Sequence, residues 1–193
     1  MSGIKKSDLI AEFTSGSDQR AELAALRLSA TRAQSLETLS ELLEDHDPDV
    51  RWWTTRAVAD IHKTGAIPLL LKALNDSDAG VQQCAALALR NQPDPQAIPQ
   101  LVRLLGTEDR LLSRLVGDAL IAIGGDAVPA LIAVVEGNLQ SSRPEAVRAL
   151  ALIGDTRAIP ALFKVLDQDS AIMEYWAEHG LEKMGVGTVF FEV

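Results

Sequence analysis

The stretch AIPLL, Ala66 to Leu70, decides how this chain is read, because it returns as AIPQL at Ala97–Leu101, AVPAL at Ala127–Leu131 and AIPAL at Ala158–Leu162. The alanines are 31, 30 and 31 residues apart, a period that marks an internal repeat. One step upstream, SLETL at Ser35 keeps both leucines without the proline. A further step reaches Ile4, where IKKSDLIAEF still reads as an amphipathic helix. The array has six units, the first degenerate, at about 1–30, 31–62, 63–93, 94–124, 125–154 and 155–185, followed by a tail at 186–193.

Each unit reads as a pair of helices. Proline suits the first turn of a helix, where its missing N–H would have no partner, so the first helix begins at AIP. Polar turns such as EDHDPD and NDSDAG follow, rich in residues that cap helices and end periodicity. A second helix then runs through VRWWTTRAVADI, VQQCAALALRNQ, LLSRLVGDALIAIG, SRPEAVRALALIG and MEYWAEHGLEKMG, with Gly124, Gly154 and Gly185 placed to close three of them in a left-handed conformation. A hairpin of about 31 residues cannot bury its own apolar face, so each must stack on its neighbours. The expectation is an all-α chain forming a single domain over residues 1–193.

This pattern resembles the HEAT-repeat family, in particular the short HEAT-like repeats of the phycobilisome-lyase type, over about residues 30–185. The resemblance implies a right-handed α-solenoid of about six hairpins, with the second helix of each lining the concave face. That family's turn Asp and following Arg occur together here only as Asp45 with Arg51. The equivalent pairs are Asp76 with Gln82, Thr107 with Ser113, Gly137 with Arg143 and Gln168 with Glu174.

Composition narrows the functions. The chain has 193 residues, 47% of them hydrophobic and only 4% aromatic, which favours tightly packed helices over a β-sandwich. Its 18 basic and 27 acidic residues give a net charge of −9, a field that repels nucleic acid. The lone Cys84 cannot form an internal disulfide, and the start MSGIKKSDLIAEF lacks the apolar run of a secretory signal. No uninterrupted apolar run of membrane-spanning length is read, and the setting expected is cytoplasmic.

Aligned at the repeat step, the second helices separate packing positions from variable ones. Ala57, Ala88, Ala119, Ala149 and Gly180 form one column and Val58, Leu89, Leu120, Leu150 and Leu181 the next, small beside large as in a packed core. Three columns change character from unit to unit: Trp52, Gln83, Arg114, Pro144, Tyr175; then Trp53, Cys84, Leu115, Glu145, Trp176; then Arg56, Leu87, Asp118, Arg148, His179. They are the candidate partner-binding face. Within it Trp52 and Trp53 read as aromatic anchors, Tyr175 and Trp176 as a second contact, and Arg56, Arg114 and Arg148 as cations for partner oxygens. Packing explains the same aromatics differently, with Trp176 against the tail VGTVFFEV and one of Trp52 and Trp53 covering the first unit.

Little catalytic chemistry is encoded. His46, His62 and His179 lie in different units without ligand spacing, and no His-Glu dipeptide of the kind that holds iron in HEAT-like hydroxylases is present. Cys84 has no base among its aligned neighbours. The variable face is of mixed sign, without the basic stripe of a nucleic-acid reader. The acidic run ELLEDHDPD, Glu41–Asp49, is a solvated turn or a docking site for a basic segment. The reading is therefore a non-enzymatic scaffold that binds a protein partner, with no cofactor, metal, nucleic acid or membrane. The alternative is a subunit of a bilin lyase or isomerase, in which aromatic and Arg/Asp groups hold an open-chain tetrapyrrole while a cysteine of the client protein attacks it.

Overall fold

A computed structural model describes residues 5–30, 35–61, 65–166 and 170–186. His62 and the tail residues Phe190 and Phe191 lie outside these. The described residues contain twelve α-helices and no strand, the all-α solenoid class expected from the repeat.

The helices divide into two compact units, Met1–Gln92 and Pro93–Val193. In the first, α1 (Lys6–Phe13) pairs with α2 (Asp18–Ala30), α3 (Ser35–Leu42) with α4 (Pro48–Ala59), and α5 (Ile67–Ala73) with α6 (Ala79–Asn91). The second helices stack in order, α2 on α4 on α6. In the second unit, α7 (Ile98–Leu104) pairs with α8 (Arg110–Ile123), α9 (Val128–Glu136) with α10 (Arg143–Ile153), and α11 (Ile159–Leu166) with α12 (Ala171–Lys183). There α8, α10 and α12 stack in the same way.

The repeated pentapeptide is explained by burial. Ala66, Ala97, Ala127 and Ala158 have no exposed surface, nor do Leu70, Leu101, Leu131 and Leu162. Each proline is the second residue of its helix, where no intrahelical bond needs its N–H. Asp94 and Asp155 accept from the amides two residues on, making the 3₁₀ turns that lead into α7 and α11. At the opposite side of each hairpin, Asp47, Asp78 and Asp109 cap α4, α6 and α8.

Glycines close the second helices as the sequence predicts: Gly154 has left-handed geometry, φ 71° and ψ 30°, and Gly185 follows α12 with φ 79°. Gly124 has φ 77° with ψ −135°, which turns the chain directly into a 3₁₀ segment, Gly124–Ala127. This turn matters for one reading. By length and composition Arg110–Glu136 is apolar enough to cross a membrane, yet it is broken at Gly124 into α8 and α9, which belong to different hairpins.

Candidate functional site

In the first unit the adjacent tryptophans divide their work. Their rings meet edge to face at 4.7 Å. Trp53 also stacks on Phe13 of α1, centroids 6.5 Å apart and planes 15° from parallel, and Phe13 is nearly buried. Trp53 thus covers the first hairpin, whereas Trp52 borders an open cavity of about 430 Å³. Asp18, Pro48, Asp49, Asp78 and Gly80 complete the lining of this cavity, together with Trp53. A Cβ at position 80 would make ordinary contact with Trp52 Cδ1, at 3.6 Å, and would crowd Asp78 Oδ1 at 3.1 Å. Sequence reasoning missed the aspartates; the signal was there, because Asp18 and Asp49 are one repeat step apart.

The two arginines of α4 are already engaged. Arg56 is 31% exposed, and its guanidinium spans Glu22 of α2 at 2.7 Å and Asp60 at 2.8 Å. Arg51 makes a two-toothed pair with Asp76, 2.7 and 2.8 Å, and donates to the carbonyl oxygen of Asp45. Burial opposes the charge on Asp76, but the Arg51 hydrogen bonds and charge, together with the Asp78 and Ser77 amides, outweigh it and hold the carboxyl below its usual range. Gln82 reaches the Asp76 carbonyl one hairpin later, repeating the backbone half of the Arg51 contact without the ion pair. Gln83 is half-buried and Leu87 exposed. Buried Cys84 has its thiol pushed up to about 12 by desolvation, against the pull of Arg56.

In the second unit the structure corrects the expectation for Arg148. It is 2% exposed, so it does not belong to an open face. Its Nε donates to Glu145 at 2.7 Å and its Nη2 to Asp118 at 2.8 Å, tying α10 to α8. Glycine at 117 makes the space, since a Cβ would come within 2.7 Å of Arg148 Nη2 and 2.8 Å of Glu145 Oε2. The sequence signal was the pairing of columns: Asp118 lies one repeat step before Arg148, and Glu145 three residues before it. Of the three groove arginines only Arg114 keeps half its surface, with loose contacts of 3.7 Å to Asp118 and 3.9 Å to Glu145.

One register position further along the stack, α12 presents a second aromatic cluster. Tyr175 meets Trp176 edge to face at 5.2 Å and lies parallel to His179 at 6.3 Å; Trp176 and His179 are 5.9 Å apart. Tyr175 is 55% exposed, and His179 and Ile172 share its exposed face. The expected contact of Trp176 with the tail falls outside the described residues. No group of three or more His, Cys, Asp or Glu suited to a metal occurs among the described residues.

Comparison with known proteins then places the chain. A model of HEAT repeats matches residues 7–90, 36–121 and 67–141, and one of the PBS lyase HEAT-like repeat matches 143–168. The chain belongs to the HEAT-repeat family. Among curated HEAT-type relatives, a phycocyanin alpha phycocyanobilin lyase, CpcF, of Synechocystis is 32% identical over 113 residues, 58% of this chain and 50% of that protein. A phycocyanobilin lyase subunit beta of Pseudanabaena tenuis is 31% identical over 115 residues, 56% of this chain and 39% of that one. The chain spans about half or less of the length of these relatives. Among solved structures, the complex of CpcE and CpcF of phycocyanin lyase from Nostoc matches with a TM-score of 0.54 at 23% identity, over 96% of this chain and 79% of that one. A designed armadillo repeat protein matches with a TM-score of 0.54 at 19% identity, over 93% of this chain and all of that one. These two likenesses concern the HEAT-like fold. The curated relatives overturn the expectation of a non-enzymatic scaffold, because they are lyase subunits.

Proposed function

We propose that this HEAT-repeat chain is a bilin lyase-type subunit, which holds an open-chain tetrapyrrole for attachment to a client protein. The match to phycocyanobilin lyase subunits over 113 and 115 residues is the observation that carries it. The reaction class adds a client cysteine thiol across a carbon–carbon double bond of the bilin. One C–S bond forms, the thiol proton ends on the neighbouring carbon, and nothing leaves.

The residues support a division of labour. Cys84 is buried and protonated far above neutral pH, so the attacking thiol comes from the client. A cytoplasmic setting suits such a client, whose cysteine stays reduced. Tyr175, Trp176 and His179 offer a partly open π-surface for conjugated pyrrole rings. Arg114 occupies the register position of Tyr175 two hairpins earlier, and its half-exposed guanidinium suits a bilin carboxylate. A second protein subunit completes the enzyme in this reading, in keeping with the relatives named as a subunit beta.

Mixing the purified chain with phycocyanobilin and recording the absorption spectrum tests this. A saturable red shift, lost in Tyr175→Ala with Trp176→Ala and weakened in Arg114→Gln, is expected. An unchanged spectrum, both alone and with a candidate second subunit and client, overturns the reading.

A further inference from the structure

The cavity beside Trp52 does not suit a bilin, whose side-chain carboxylates would meet Asp18, Asp49 and Asp78. We infer that it takes the guanidinium or ammonium group of an arginine or lysine on a partner protein.

Charge complementarity and shape carry the inference together. Asp18 and Asp78 flank the starts of α2 and α6, and Asp49 is in the first turn of α4, so three second helices contribute one carboxylate each. Helix N-termini alone would attract an anion. Roughly +0.5 from each of three helix ends gives about +1.5 against three full negative charges, so the lining stays anionic. None of the lining residues is basic. The nearest arginines of α4 do not neutralise it, because Arg51 is held by Asp76, and Arg56 by Glu22 and Asp60.

The carboxylates are not all used by the fold. Asp47, rather than Asp49, accepts from the backbone at the start of α4. Asp78 commits Oδ1 to the Val81 amide, leaving Oδ2. The half-buried Trp52 supplies the remaining element, an indole that borders the cavity. A cation within about 6 Å of an indole face is attracted by the ring, and the methylene stem of Arg or Lys packs on the same surface. A cavity of about 430 Å³ admits one such side chain and its stem.

The inference is independent of the lyase reading, since a bilin spectrum that the chain leaves unchanged says nothing about this cavity. The test is a tryptophan-fluorescence titration in a Trp176→Phe background, so that only Trp52 and Trp53 report. The probes are acetyl-arginine-amide and its neutral isostere acetyl-citrulline-amide. A saturable change is expected for the arginine probe with a dissociation constant of about 1 mM, at least ten-fold weaker for citrulline. Asp18→Asn and Asp49→Asn, with unchanged circular dichroism, are each expected to weaken it three-fold or more, as is raised salt. Equal binding of the two probes, indifference to both Asn variants, or no binding of either overturns the assignment.

Discussion

The Arg148 guanidinium bridges Asp118 of α8 and its own helix neighbour Glu145, with almost no surface of its own. A position that alignment of the repeats assigns to the open face is thereby an interior clamp. Removing one member of such a buried set leaves the others uncompensated. Arg148→Ala is expected to cost about 3–5 kcal/mol in urea unfolding, and Arg148→Met, with Asp118→Asn and Glu145→Gln, much less. A loss below 1 kcal/mol for Arg148→Ala would mean that the guanidinium is not held as described.

Arg114, loosely placed beside the same two carboxylates, should behave oppositely. Its exposed, long contacts predict a change within about 0.5 kcal/mol for Arg114→Gln, while the bilin spectrum of the proposed lyase reading weakens. Equilibrium unfolding and absorption measured on the same variant separate the two effects.

Gly180 replaces the alanine of its column for a steric reason. A Cβ there would lie 2.8 Å from Ala151 Cα and 2.9 Å from Ala151 Cβ, and backbone cannot step aside. Gly180→Ala is expected to destabilise the chain by about 1–3 kcal/mol despite its better helix propensity. Thermal melting with a lowered midpoint is the readout.

The Arg51–Asp76 pair predicts an acid-dependent stability. With the folded Asp76 pKa below its unfolded value, the contribution is complete above about pH 4. As pH falls through the folded value, protons bind the unfolded chain first and the contribution is lost. Arg51→Gln should lower stability at pH 7 by about 3 kcal/mol and flatten this acid limb. Parallel acid limbs for the parent and the variant would contradict the assignment.

Cys84 predicts an alkaline effect of the opposite sense. Its folded thiol titrates at about 12 against an ordinary 9.0, so above pH 9 the unfolded chain loses its proton first. Stability then falls with rising pH by up to about 1.4 kcal/mol per unit until about pH 12. Subtracting the pH profile of Cys84→Ala isolates this slope, and labelling by a disulfide reagent at pH 8 should be far slower in the folded than in the urea-unfolded protein.

The fold was legible because its signals are local and repeated: proline at the helix start, buried alanine and leucine two residues to either side, glycine at the close. The face was less so. Column position predicts direction, and it placed Tyr175 and His179 in the open, but it does not register what lies opposite. Trp53 meets Phe13 from a hairpin whose degenerate sequence hid the partner. Arg148 finds carboxylates because Gly117 admits its head group. Function followed neither route. Repeat scaffolds serve many ends, and the residue pattern alone favoured a binding protein where the curated relatives are lyase subunits.

The charged pairs between hairpins carry a consequence for evolution and engineering. Arg56 needs Glu22 from the hairpin before it, Arg51 needs Asp76 from the one after, and Arg148 needs Asp118 from the one before. Although the pentapeptide makes the hairpins look interchangeable, each of these contacts is written for one neighbour. Shuffling, duplicating or deleting a hairpin would join compatible apolar faces while stranding these charges. The order of the hairpins is thus encoded separately from their fold, in an address system of paired side chains.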